Sequence, residues 1–142
     1  MKMEVHATPQ EVMRAVEALR EFGRVQRLPD RVVFGLALAL EECGCNIVQH
    51  ALGRDARQKF RVAVERKCTQ ILIELRDAGP EFDLTGFSKP NAPAEGADPI
   101  GGWGIPIVRR YTDAIRYRRE GNENVLLLIK DLDEPTSGRF KA

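Results

Sequence analysis

Lys59-Phe60-Arg61-Val62-Ala63-Val64-Glu65-Arg66-Lys67-Cys68-Thr69-Gln70-Ile71-Leu72-Ile73-Glu74-Leu75-Arg76-Asp77 is the stretch on which the fold turns. It reads as two strands, residues 59–65 and 70–77, joined by a tight turn around Lys67 and Cys68. Side chains alternate along a strand, so Ile71, Ile73, Leu75 and Asp77 share one face. Asp77 therefore points toward the core at a strand end, where a carboxylate needs a donor. Asp77-Ala78-Gly79-Pro80 then breaks the strand.

Two helices lie upstream. Thr8-Pro9-Gln10-Glu11 is a helix start, with Thr8 as cap, Pro9 in the first turn and Glu11 completing a capping box. Val12, Ala15, Val16 and Leu19 give this helix an apolar face up to a stop near Gly23. Leu28-Pro29-Asp30 opens the second helix with Asp30 as its cap. Val33, Leu36, Ala37, Leu40, Cys43 and Ile47 mark its buried stripe, and Gly53 ends it. A short strand over residues 2–6 precedes both.

Downstream, residues 81–100 are rich in Pro, Gly, Ala and Asp, the composition of a lid or binding loop. A third helix is expected after Gly101-Gly102-Trp103-Gly104, with Pro106 in its first turn. Residues 114–120 and 124–130 form a final hairpin around Gly121-Asn122, and residues 131–142 are expected to be a mobile tail. Strands in pairs with helices between them imply an α+β fold. The expectation is a two-layer sandwich, a mostly antiparallel mixed sheet covered on one face by about three helices, in a single domain over residues 1–130.

Composition narrows the function classes. The 142 residues include 43% hydrophobic and 30% charged, which suits one globular domain. Twenty-two basic and 21 acidic residues leave a net charge of +1, so no strong field draws the chain to nucleic acid or an anionic membrane. No apolar run approaches the roughly 20 residues that span a bilayer, and Met1-Lys2-Met3-Glu4 does not open a signal peptide. The chain is expected to be cytoplasmic. Cys43, Cys45 and Cys68 are expected to be reduced, structural thiols without a zinc site.

Three features could carry chemistry, each with a plain alternative. Glu42, Asn46 and His50 recur in steps of four beside the apolar stripe of the second helix. A carboxylate can take a proton and an amide oxygen can bind magnesium; the alternative is a solvated helix face with a half-buried His. Asp77 with Gly79 could accept from the exocyclic amine of adenine and admit a planar ring; the alternative is an Asp-x-Gly turn. Gly101-Gly102-Trp103-Gly104 could wrap phosphate oxygens at a helix N-terminus; a hinge explains it equally well, and no Walker Lys-Ser or Lys-Thr follows. Their order, metal-type helix, adenine-type strand end, long loop and phosphate-type glycines, describes one nucleotide site with a lid.

Glu42-x-x-x-Asn46, Asp77-x-Gly79 and Gly102-x-Gly104 resemble the three ATP boxes shared by gyrase, the Hsp90 chaperone, histidine kinases and MutL. The local wording is narrower. Leu38-Ala39-Leu40-Glu41-Glu42 leading to Asn46 and His50-Ala51 is similar to the helix of bacterial anti-sigma factor serine/threonine kinases. So is Gly101-Gly102-Trp103-Gly104-Ile105-Pro106-Ile107-Val108-Arg109, followed by Asp113, Tyr117 and Asn124-Val125-Leu126-Leu127-Leu128-Ile129-Lys130. The resemblance covers residues 4–130 and implies a Bergerat-type ATP-binding fold. It implies that Asn46 holds Mg2+, that Asp77 and Gly79 read adenine, and that Gly102 and Gly104 contact phosphates. His50, Trp103 and Ile105 fall among its nucleotide-contacting positions, and Glu42 is its general base. Cys45, Trp103 and Pro106 depart from the family pattern.

The function so implied is an ATP-dependent serine/threonine protein kinase acting as an anti-sigma factor. Its substrate is a serine of an anti-anti-sigma (STAS) partner; its other ligand is a sigma factor, and a homodimer is plausible. The alternative is a non-catalytic ATP-binding module that sequesters a sigma factor or other regulator. A detached histidine kinase domain ranks last, because neither His6 nor His50 sits where a phosphoacceptor is needed.

Overall fold

A computed structural model of the chain describes residues 1–87 and 99–132. The central hairpin is β2 (Lys59–Lys67) and β3 (Gln70–Asp77), paired antiparallel from Phe60 opposite Asp77 to Lys67 opposite Gln70. Cys68, at φ 53°, supplies the left-handed turn residue. β1 (Lys2–His6) pairs with β2, and β5 (Glu123–Asp131) pairs with β3. β4 (Ala114–Glu120) closes the far edge, giving the order β1-β2-β3-β5-β4. All four pairings are antiparallel, so the expected mixed character is absent among the described residues. β3 and β4 run parallel to each other, but β5 lies between them.

Alternation sorts the sheet into two faces. Val5, Phe60, Val62, Val64, Ile71, Ile73, Leu75, Leu126 and Leu128 are buried against the helices. The other face carries charge: Arg76 meets Glu74 at 3.0 Å and Glu120 at 2.6 Å, and Arg61 pairs with Glu123. Such partly exposed pairs contribute little, about 0–1 kcal/mol each. The apolar layer holds the fold together, since burying one large aliphatic side chain contributes about 1.5–3 kcal/mol.

α1 (Pro9–Val25) is capped as its sequence indicates, Thr8 Oγ1 accepting the Glu11 N–H at 3.1 Å. The return half of the box is displaced. Glu11 Oε1 accepts from the His6 N–H at 3.2 Å, because the Thr8 amide already donates to the His6 carbonyl. α2 (Asp30–Asn46) has no side-chain cap; Asp30 is its first helical residue and acts only through the helix dipole. Val33 is half-buried rather than part of the buried stripe. It packs on Gly23 of α1, where a Cβ would come within 2.6 Å of Val33 Cγ2.

α2 does not stop at Asn46. It runs on through a π-helical turn, Ile47–Ala51, and ends where Gly53 takes φ 61°. The combined helix Asp30–Ala51 has 22 residues and is long and apolar enough to cross a membrane by length and composition. This corrects the expectation that no apolar run reaches that length. Here 61% of its most apolar window is buried inside the protein, which is the position of a core helix.

α3 (Pro99–Tyr111) begins before the glycines, not after them. Pro99 suits a first helical position, having no N–H to leave unpaired and a φ already set. Pro106 accordingly lies inside the helix rather than in its first turn. Gly35 lets α2 approach α3, since a Cβ there would be 2.7 Å from the Tyr111 ring. Within the expected loop, Leu84–Phe87 forms a 3-10 turn, and residues 88–98 lie outside the described residues. β5 reaches Asp131, and the Leu132 N–H donates to the Thr69 carbonyl at 2.7 Å. The remainder of the expected tail, residues 133–142, lies outside the described residues.

Candidate functional site

Asn46 is the buried polar residue of the α2 face, 6% exposed. Its Nδ2 donates to the Glu42 carbonyl one turn back at 2.8 Å. Its Oδ1 has no partner among the described residues, which for a buried acceptor costs about 1–3 kcal/mol unless a ligand takes it. That oxygen is a hard donor of the type magnesium prefers. Glu42 is half-buried on the preceding turn. Burial pushes its carboxyl above the usual carboxylate range, and the neighbouring Glu41 charge pushes in the same direction.

His50 departs from this pair. It lies on the π-helical turn, is exposed, and its ring sits 5.5 Å from Phe82 at 30°. Steps of four hold one face only while the helix keeps its α period, so His50 meets the segment after β3 instead of prolonging the Glu42–Asn46 row.

Asp77, 4% exposed, ends β3 directly opposite Asn124, the second residue of β5. Asp77 Oδ1 accepts the Gly79 N–H and Asn124 Nδ2, both at 2.9 Å. Asp77 Oδ2 has no partner among the described residues. Asn124, also 4% exposed, gathers more than Asp77. Its Nδ2 donates to the Pro80 carbonyl at 2.9 Å, and its Oδ1 accepts from the Phe82 N–H, the Tyr117 hydroxyl and Arg119 Nη1 at 3.1, 2.6 and 3.1 Å. Arg119 Nη1 also reaches the Gly79 carbonyl at 2.9 Å.

Gly79 is required by a contact within the protein. A Cβ there would be 2.5 Å from the Ala51 carbonyl oxygen and 3.0 Å from Asp77 Oδ1. The end of the π-helical turn and the turn after β3 thus touch, and His50 and Phe82 extend the contact. Gly101, Gly102, Trp103 and Gly104 occupy the first turns of α3. A helix leaves its first amides without intrahelical partners, and here those include Gly101. The Trp103 side chain lies outside the described residues. Ile105 is 2% exposed in the core, so it can offer a ligand only its backbone.

As site residues Asn124, Tyr117, Arg119 and Ala51 are additions from the structure, although the family resemblance runs through Ala51, Tyr117 and Asn124. One signal for Asn124 exists in the sequence: an amide opening the apolar run Val125-Leu126-Leu127-Leu128-Ile129. Its partner across the sheet depends on a register that no local pattern encodes. A groove of about 450 Å³ on the charged sheet face, lined by Lys2, Glu4, Arg61, Glu74 and Arg76 among others, is a poor rival. Its Arg76 is already matched by Glu74 and Glu120, leaving that cation no surplus charge for phosphates.

The family model described as a histidine kinase-like ATPase domain matches residues 5–130. No curated protein matches the chain. Among solved structures it is similar to the RsbU and RsbW domains of a Mycobacterium tuberculosis protein, with TM-score 0.66 and 15% identity over 95% of this chain. The chain spans 33% of that structure's length. It is similar to a chain in the crystal structure of the SiaB–SiaC complex from Pseudomonas aeruginosa, with TM-score 0.60 and 11% identity over 92% of this chain and 88% of that one. It is also similar to the histidine kinase domain of a blue-light activated histidine kinase from Erythrobacter litoralis, with TM-score 0.54 and 14% identity over 87% and 60%. At these identities the structural likeness speaks for the fold. Together with the family match, it supports a histidine kinase-like ATPase fold.

Proposed function

The chain belongs to the family of histidine kinase-like ATPase domains, which implies ATP binding, and we propose that it is a serine/threonine protein kinase of the anti-sigma type. The observation that carries this reading is the Glu42–Asn46 pair: a half-buried carboxylate of raised basicity, one turn ahead of a buried amide whose Oδ1 is unmatched. The substrate is a serine of a STAS partner, the second ligand is a sigma factor, and the setting is the cytoplasm. An RsbW domain among the structural neighbours supports the choice of partner class.

In this reading Asp77 Oδ2 accepts from the 6-amino group of adenine. The free amides at the start of α3 hold phosphate oxygens, with Gly102 and Gly104 in contact beside them. Asn46 Oδ1 would hold magnesium, which supplies charge neutralisation on the phosphates. Glu42 takes the proton from the serine hydroxyl as its oxygen bonds to the γ-phosphorus. The bond from that phosphorus to the bridging oxygen breaks, and ADP leaves with the electron pair. Phosphoryl transfer asks mainly for positioning and charge neutralisation, so this small set suffices. Incubation with radiolabelled ATP and a STAS protein tests the reading: label on the STAS serine supports it, and no label on any cognate STAS protein sinks it.

A further inference from the structure

We infer that Asn124 is a positioning residue that makes the site selective for a 6-amino purine over a 6-oxo purine. The inference rests on Asp77 being the adenine reader, as proposed above, and concerns what holds it in that role. The chemistry of its neighbours settles which way the Asn124 amide faces. The Phe82 N–H and Arg119 are donors and must face Oδ1; the Asp77 carboxylate and the Pro80 carbonyl are acceptors and must face Nδ2. The Tyr117 hydroxyl closes the arrangement at 2.6 Å. Every hydrogen-bonding position of the amide is therefore used, and it cannot rotate without losing several bonds.

That rigidity passes to Asp77. Its Oδ1 is held by two donors, Asn124 Nδ2 and the Gly79 N–H. Its Oδ2 stays a pure acceptor, 4% exposed as a residue and without a partner among the described residues. A 6-amino group satisfies such an oxygen. A 6-oxo group places a second acceptor against it and leaves both unmatched, which is the arrangement that discriminates most strongly in buried polar sites. Asn124 also holds the Pro80–Phe82 segment, so the same amide that orients the reader anchors the turn beside it.

The test is titration of the full chain with magnesium-ATP and magnesium-inosine triphosphate, for wild type, Asn124→Asp and Tyr117→Phe, with folding checked by circular dichroism. Asn124→Asp keeps the shape but turns an oxygen toward Asp77 and Pro80. Tyr117→Phe removes only one of the three donors to Asn124 Oδ1. The wild type is expected to prefer ATP by at least about tenfold. Asn124→Asp should bring that ratio to within about threefold of unity, and Tyr117→Phe should lower it by about threefold. Folded variants that keep the wild-type ratio overturn the role of Asn124 while leaving the adenine reading in place. Should Asn124→Asp not fold, the Tyr117→Phe ratio decides alone. A wild type that binds both nucleotides equally, or neither, overturns the adenine reading and this inference with it.

Discussion

Gly79 lies against the Ala51 carbonyl so closely that a Cβ at that position would be 2.5 Å from the oxygen. This contact joins two elements distant in sequence: the π-helical turn that prolongs α2 beyond Asn46, and the turn that follows Asp77. Because the obstacle is backbone, a side chain cannot be accommodated by a rotamer change.

Gly79→Ala should therefore destabilise the fold by about 1–3 kcal/mol, the usual consequence of overpacking. It should weaken ATP binding at the same time, since Asp77 Oδ1 lies 3.0 Å from the same added carbon. Urea denaturation beside nucleotide titration checks both; an unchanged midpoint contradicts the contact.

Asn46→Ala removes the unmatched Oδ1 and leaves the helix backbone intact. Loss of one hydrogen bond to a charged group corresponds to about tenfold or more in affinity. The expected outcome is loss of the magnesium-dependent part of ATP binding, with residual metal-free binding retained. Titration with and without magnesium reads this directly, and equal magnesium dependence in both proteins refutes the assignment of Asn46.

Glu42→Gln should abolish transfer to a STAS serine while ATP affinity stays within about threefold of wild type, because the residue acts on the incoming hydroxyl. The pH dependence has a definite sign. A base works only when deprotonated, and burial raises the Glu42 pKa above its ordinary value of 4.5. Wild-type transfer should thus begin to fall at a pH above 4.5 as the medium is acidified. A rate flat down to pH 4.5 removes Glu42 from the role.

Glu11 behaves oppositely and concerns stability alone. The Arg14 guanidinium first, and the His6 N–H second, lower its carboxyl from 4.5 to about 2. A group whose folded pKa is depressed stabilises above its unfolded pKa, and that stabilisation is lost as pH falls through the folded value. The stability gap between wild type and Glu11→Gln should be full above pH 4.5 and shrink between pH 4.5 and about 2. Urea midpoints across that range would show it; a gap independent of pH assigns the effect to packing.

The fold was legible where periodicity is local. Ile71, Ile73 and Leu75 mark β3 by alternation, Val12 to Leu19 mark α1, and Thr8 marks its start. Legibility failed where tertiary contacts decide. Pro99 rather than Gly104 sets the start of α3, and the helix through Asn46 continues over Ile47–Ala51 by changing its hydrogen-bond spacing, which side-chain pattern does not report. In the site, Asp77 could be placed on the core side from its strand alone. Its partners could not: the Asn124 amide reaches Asp77 through the pairing of β5 with β3, 47 residues apart in the chain.

Calorimetric titration of magnesium-ATP into the wild type and into Asp77→Asn tests the central claim most directly. Binding that requires magnesium and falls by about tenfold or more in Asp77→Asn is the outcome expected of an adenine-reading carboxylate. Absence of binding in the wild type, or equal affinity in the two proteins, contradicts the account.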